Sequence, residues 1–130
     1  MKSWSLNELD TQPRKPEIVE SNDDARAIVI DLPAGESLDD HEVHERAWLV
    51  VVAGAIEVTA LDSGERAGGG VGTFIEFEPT ERHRVDARED SRFLLLLTPW
   101  PGDGHPGALS LEEKARVRER AAERGRQGSS

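Results

Sequence analysis

Short apolar runs, separated by turn residues, dominate the first hundred residues of the chain. Five of these runs have the length of strands rather than helices: residues 27–32, 48–53, 56–60, 74–77 and 92–98. Gly, Pro, Asp and Ser cluster between the runs, as expected for turns. No helical pattern separates one run from the next, so we predict a mainly β protein built as a sandwich or a barrel rather than as a parallel sheet with crossover helices.

Two of the runs have no polar position in their centres. Residues 48–53 and the leucines 94–97 are continuously apolar, which is typical of strands that are covered on both faces. Gly54 follows the first of these runs and predicts a kink or bulge before residues 56–60. We also expect the leucine strand to lie near a subunit contact.

The two ends of the chain have a different composition. Residues 1–26 contain spaced apolar side chains followed by Pro13 and Pro16, and we predict an N-terminal arm and a connection. Residues 27–108 form the predicted barrel. In residues 109–130, Ser110 and Glu113 fit a capping box before a stretch rich in Ala, Glu and Arg, so we predict a C-terminal α-helix with a frayed tail.

Charge and cysteine content narrow the classes of partner and site. With 130 residues the chain fits one domain, and its net charge of -10 disfavours nucleic acid and anionic membrane surfaces as partners. The chain contains no cysteine, so any metal site must use nitrogen and oxygen ligands. No apolar stretch approaches the roughly 20 residues that cross a bilayer, and we expect a cytoplasmic protein.

Histidines near two predicted strands are the main candidates for chemistry. His41, His44 and Glu45 precede the run 48–53, and His83 follows the run 74–77, so two strand ends could converge on one site. Imidazole nitrogen and carboxylate oxygen suit Mn, Fe, Ni, Cu or Zn. Strand alternation places Glu45 on the same face as His41 and turns His44 outward, whereas a bulge would exchange the two. Both sets of three ligands, each including His41 and His83, therefore stay open.

The spacing of these residues resembles the cupin superfamily. Gly35, His41 and Gly54 fit the frame of the first cupin motif, which runs glycine, five residues, histidine, one residue, histidine, three or four residues, glutamate, six residues, glycine. Val43 occupies the position of the second histidine, and Ala47 occupies the position of the glutamate. Two of the three ligands that this motif usually offers are thus replaced by apolar residues.

The second cupin motif is matched more loosely. Gly72, Pro79 and His83 follow its order with shifted spacing and without the glycine between proline and histidine. The resemblance covers residues 27–98 and implies a single small antiparallel β-barrel of the jelly-roll type, often dimeric, whose site lies inside the barrel. We accordingly expect a homodimer.

Two functions from different classes follow from this pattern. The first is a barrel that binds a small organic ligand in an apolar cavity, without metal, with His41 and His83 as polar contacts. The cavity would be lined by inward-facing residues of the strands: Leu49, Val51, Ile75, Phe77 and Val85. The alternative is an enzyme, either a metal-dependent oxygenase or lyase that uses His41, Glu45 or His44, and His83, or an isomerase in which a histidine moves a proton.

Overall fold

The described part of the chain folds into nine strands and one short 3₁₀ helix. The computed structural model describes residues 1–41 and 44–100, apart from the side chains of residues 40 and 41. The 3₁₀ helix is Leu6–Glu8, and the strands are β1 (Glu17–Ser21), β2 (Arg26–Leu32), β3 (Ser37–His41), β4 (Arg46–Ala53), β5 (Ile56–Ala60), β6 (Arg66–Gly69), β7 (Phe74–Phe77), β8 (His83–Ala87) and β9 (Ser91–Thr98). The predicted helix within residues 109–130 lies outside the described residues. In the described part of the chain, no helix has the length and apolar character needed to cross a membrane.

The strands form two antiparallel sheets that face each other. The first sheet has the order β1-β2-β9-β4-β7 and the second has the order β3-β8-β5-β6. The predicted mainly β, antiparallel jelly-roll architecture is therefore confirmed. A single closed barrel is not formed, because the described strands of one sheet are not hydrogen-bonded to those of the other.

Gly54 is the point at which the chain passes from the first sheet to the second. It separates β4 from β5 and has a φ of 78°, in the left-handed region that glycine adopts most readily. A Cβ atom at this position would also collide with the backbone of Asp90 and Ser91. The predicted kink is thus confirmed, and its effect is to bring two consecutive strands onto opposite sides of the core.

The core lies between the sheets and is built from alternate positions of the strands. In β4 the side chains of Leu49 and Val51 are buried, and in β9 those of Phe93, Leu95 and Leu97 are buried. The residues between them face outward and are only half-buried. The expectation that both apolar runs are covered on both faces is therefore wrong for the outer face, which is only partly covered.

The sequence pattern does not predict four of the strands, which are β1, β3, β6 and β8. β1 and β3 have the sequences EIVES and SLDDH, in which half of the residues are charged or histidine. Residues 35–40 are rich in the turn-favouring Gly, Ser and Asp, yet they include most of β3. β3 pairs with β8 in a register that joins Leu38 to Val85 and His41 to His83.

Arg92 fastens the N-terminal arm to the outer face of the first sheet. Its Nε lies 2.6 Å from Oδ1 of Asp31, and its Nη2 lies 2.9 Å from Oδ2 of the same carboxylate. The guanidinium also donates to the carbonyl oxygen of Leu6 at 2.8 Å and to the hydroxyl of Thr11 at 2.9 Å. The hydroxyl of Thr11 donates in turn to Asp31. These hydrogen bonds hold Leu6 and Thr11 against the first sheet.

Candidate functional site

His83 lies on the inner face of the second sheet. It begins β8, in which His83, Val85 and Ala87 are buried while Arg84 is exposed. Only 2% of His83 is accessible to solvent. A polar ring buried among apolar side chains is uncommon, because burial costs free energy unless the ring nitrogens are hydrogen-bonded. This makes His83 the natural starting point for a functional site.

The ring of His83 bridges the two sheets. It stacks on Phe77 of β7, with ring centroids 3.9 Å apart and an interplanar angle of 9°. Its Nδ1 lies 3.3 Å from the carbonyl oxygen of Glu81, which can only accept a hydrogen bond. The contact therefore requires a proton on Nδ1. In a neutral ring protonated on Nδ1, it is Nε2 that carries the lone pair.

Glu45 is the second buried polar residue at this end of the molecule. It precedes β4 and is 1% accessible, and with Ala47 and Leu49 it continues the series of alternate inward positions. His44 is half-buried. The sequence left Glu45 and His44 as alternatives for the inward position. The structure places Glu45 in the interior.

The backbone of His41 lies beside that of His83. β3 ends at His41, and the antiparallel register makes His41 and His83 direct cross-strand partners. Among the side chains that the structure describes, which include His44, Glu45 and His83, no three histidines or carboxylates are grouped so that they could hold a metal ion. The described residues alone therefore do not form a metal site.

An open cavity of about 270 Å³ lies beside Phe77. Its lining includes residues of β6 and β7, which are edge strands of the two sheets among the described strands. Its apolar wall is formed by Val58, Ala60, Ala67, Ile75 and Phe77, and its polar rim by Glu65, Arg66, Glu76, Glu78 and Glu81. The cavity thus combines an apolar interior with a charged mouth.

The predicted lining residues fall into two groups. Ile75 and Phe77 line this cavity, whereas Leu49, Val51 and Val85 belong to the packed core and are at most 2% accessible. Sequence reasoning did not identify Val58 and Ala60 as part of the wall. Their alternation with Ile56 along β5 is the signal that could have indicated them.

Arg46 organises one side of the cavity rim. Its Nη1 donates to Glu76 at 2.7 Å, and its Nη2 donates to Glu78 at 2.8 Å. The hydrogen bond from Arg46 lowers the pKa of Glu78, and the two carboxylates, Glu78 first, raise the pKa of Arg46. Both carboxylates are well exposed, which is typical of residues on the solvated face of a strand.

A larger cavity, of about 450 Å³, lies at the opposite end of the first sheet. Asn7 and Pro13 of the arm, together with Asp31 and Arg92, form part of its lining. Two charged groups of this lining already bond to each other, since Arg92 donates twice to Asp31. Neither cavity has a histidine in its lining, but the wall of the smaller one includes Phe77, on which the buried ring of His83 stacks. We therefore assign the candidate site to the smaller cavity.

Solved structures from several organisms share this fold. An RmlC-like cupin protein from Desulfovibrio desulfuricans is 23% identical, with 76% of this chain and 97% of that chain covered and a TM-score of 0.67. An uncharacterised conserved protein with a double-stranded β-helix domain from Klebsiella pneumoniae is 18% identical, with 78% of this chain and 93% of that chain covered and a TM-score of 0.66. An RmlC-like cupin family protein from Methanocaldococcus jannaschii is 16% identical, with 76% of this chain and 91% of that chain covered and a TM-score of 0.63.

The family assignment rests on the sequence as well as on this shared fold. No curated protein matches the chain. The family model described as "Cupin domain" matches residues 28–99, which is more than half of the chain and includes every strand from β3 to β9. The chain therefore belongs to the cupin family.

Proposed function

We propose that the protein binds a small organic ligand in the cavity beside Phe77 and His83. The observation that carries this proposal is the buried imidazole of His83, stacked on an aromatic ring that itself forms part of the cavity wall. Sites for small molecules are typically concave and mainly apolar, with a few polar groups that fix the orientation of the ligand. This cavity has an apolar wall of that kind, and charged residues form the other half of its lining.

The size and lining of the cavity indicate the kind of molecule that fits. Its volume of about 270 Å³ is close to the lower end of the range of roughly 300–1,000 Å³ found for ligand pockets. A compact metabolite suits this space better than a large cofactor. Its apolar part would contact Ile75 and Phe77, and its polar substituents would meet the rim, where Glu65 and Arg66 offer an acceptor and a donor of opposite charge.

A metal-dependent cupin enzyme is the second candidate. The observations that favour it are the cross-strand register of His41 and His83 and the burial of Glu45 at the same end of the core. It ranks second because Val43 and Ala47 stand at two ligand positions of the cupin motif. Elemental mass spectrometry of the purified protein decides between the two: we expect substoichiometric metal. A full equivalent that is lost in the His41→Ala, His83→Ala double variant would reverse the order.

A thermal-shift screen with small metabolites tests ligand binding, and two variants on one strand locate the site. Ile75→Trp fills the cavity from its wall, while Phe74→Trp adds a similar ring to the neighbouring position on the outer face of β7. We expect at least one compound to raise the unfolding temperature of the wild type and of Phe74→Trp but not that of Ile75→Trp.

Two results of this screen would contradict the proposal. One is that only metal ions stabilise the protein. The other is that a compound stabilises Ile75→Trp as well as it stabilises Phe74→Trp, since that would place its site elsewhere. A wild-type unfolding temperature for Ile75→Trp without compound would show that the added ring is accommodated without loss of the fold.

A further inference from the structure

We infer that Arg46 is a positioning residue that holds the β7–β8 turn and, through this turn, the ring of His83. The inference rests on the proposed function, because it assigns to Arg46 the control of the cavity's mouth. We call the group formed by Arg46, Glu76 and Glu78 the Arg46 clasp. Arg46 does not line the cavity itself, so its effect must pass through the residues it holds.

The first step is the geometry of the clasp. A single planar guanidinium at the start of β4 donates to two carboxylates, one within β7 and one directly after it. Two donors in a rigid plane fix direction as well as distance, which a lysine ammonium could not do. The clasp therefore defines where the chain leaves β7 and enters the turn.

The second step is the turn itself. Glu78 and Glu81 are joined twice, because the backbone N–H of Glu78 donates to the side chain of Glu81 at 3.0 Å and the N–H of Glu81 donates to the carbonyl of Glu78 at 3.1 Å. Between them Thr80 has a φ of 65°, which is unusual for a β-branched residue. Such a conformation persists when the surrounding contacts hold it. The clasp is one of these contacts.

The third step leads from the turn to the buried histidine. The carbonyl oxygen of Glu81 lies 3.3 Å from Nδ1 of His83, and the ring of Phe77, which precedes Glu78, stacks on the imidazole. The carbonyl belongs to Glu81 of the turn, and Phe77 directly precedes Glu78, which the clasp anchors. Displacement of Glu78 would therefore move the acceptor at Nδ1 and the aromatic face together.

Two consequences for the cavity follow. Glu78 and Glu81 belong to its rim, so release of the clasp changes the opening through which a ligand enters. It also displaces the carbonyl acceptor of Glu81 that faces Nδ1 of His83 and so changes where the ring holds its proton. Because the clasp is exposed and ionic, high salt weakens it, since charges are screened over roughly 8 Å at physiological ionic strength.

The test compares Arg46→Met with Arg88→Met in the full chain without any ligand. Arg88 is a matched control, because it is an exposed arginine that pairs with Glu57 of the other sheet. Nitrogen-15 NMR of the histidine ring reports the tautomer of His83, and amide exchange reports the opening of residues 80–82. In Arg46→Met we expect the two ring nitrogens of His83 to move towards averaged shifts and the amide of Glu81 to exchange about tenfold faster.

The conservative variant and the control complete the design. Arg46→Lys is expected to restore the exchange rate only in part, because an ammonium cannot reproduce the two directed bonds, and Arg88→Met is expected to leave all these signals unchanged. Wild-type ring shifts and wild-type exchange in Arg46→Met would overturn the inference. Because no ligand is present, that outcome would leave the proposed function standing, whereas a failed metabolite screen would leave the effect of Arg46 on His83 untouched.

Discussion

The first sheet carries an arginine–carboxylate cluster at each end, and the two clusters differ in burial. At the arm end, the side chains of Arg92 and Asp31 are 14% and 23% accessible. At the cavity end, Arg46 is 34% accessible and its partners Glu76 and Glu78 are 42% and 69% accessible. Exposed ion pairs add little to folding free energy, whereas a buried charge that loses its partner is costly. The comparison suggests that the arm end stabilises the fold and that the cavity end arranges a site.

The largest effect is expected from Arg92→Met. This change leaves the carboxylate of Asp31 without its guanidinium and the carbonyl of Leu6 without a donor. We expect the free energy of unfolding to fall by about 2–3 kcal/mol, since a partly buried charge and a polar group are left unsatisfied. Urea denaturation measures this fall in the free energy of unfolding. A change below about 0.5 kcal/mol, as for an ordinary surface substitution, would remove the distinction between the two ends.

Acid sharpens the same comparison through Asp31. Hydrogen bonds from Arg92 lower the pKa of Asp31 below its ordinary value, with a smaller contribution from Thr11. The ionised carboxylate is therefore more stable in the folded protein than in the unfolded chain. The resulting stability is present above the ordinary aspartate pKa of about 3.9 and is lost as the pH falls through the lower, folded value. Urea midpoints of the wild type should therefore fall below about pH 4 more steeply than those of Asp31→Asn. Parallel curves would contradict this assignment.

A smaller effect on the free energy of unfolding is expected from Phe74→Ser, which removes an aromatic contact at the cavity end of the first sheet. Phe74 is 61% accessible and stacks on Trp48 with ring centroids 5.7 Å apart. We propose that this outer face contributes to the expected homodimer. For a monomer, Phe74→Ser should cost less than about 1 kcal/mol. Analytical ultracentrifugation of the wild type and of Phe74→Ser tests the assembly: a dimer that becomes a monomer supports the proposal, and an unchanged state of assembly opposes it.

The smallest effect on stability is expected for Arg46→Met. The clasp is exposed, so its loss should leave the urea midpoint close to that of the wild type while the ring signals of His83 change. The pair Arg92→Met and Arg46→Met thus separates a stabilising cluster from a positioning cluster in one denaturation experiment. A loss of stability in Arg46→Met equal to that in Arg92→Met would show that both ends serve the fold alike.

Strand prediction succeeded where apolar residues form runs. It failed where polar residues or glycines interrupt them, in the edge strands β1, β3 and β6 and in the central strand β8. The runs that contain β2, β4, β5, β7 and β9 were predicted. β1 and β3 each occupy an edge of a sheet, with a strand on one side only, and such positions admit charged residues in sequences like EIVES and SLDDH. Local hydrophobic pattern is therefore a weak guide to edge strands.

Of the predicted lining residues, only Ile75 and Phe77 line the cavity, and its arrangement was not predictable. Alternation identifies Leu49 and Ile75 as inward-facing, yet it cannot tell that Leu49 is enclosed by the core while Ile75 lies at the open edge beside a cavity. The role of Arg46 could not be inferred either, since its partners lie 30 and 32 residues further along the chain. Both depend on how the two sheets pack, which no local pattern encodes.

The most direct measurement for the central claim is an NMR titration of the wild type with a compound selected by the thermal-shift screen. The account predicts saturable shifts of the His83 ring and of Phe77, with the signals of Asn7 and Arg92 at the larger cavity unchanged. Shifts confined to Asn7 and Arg92, or a complete screen without a stabilising compound, would contradict it.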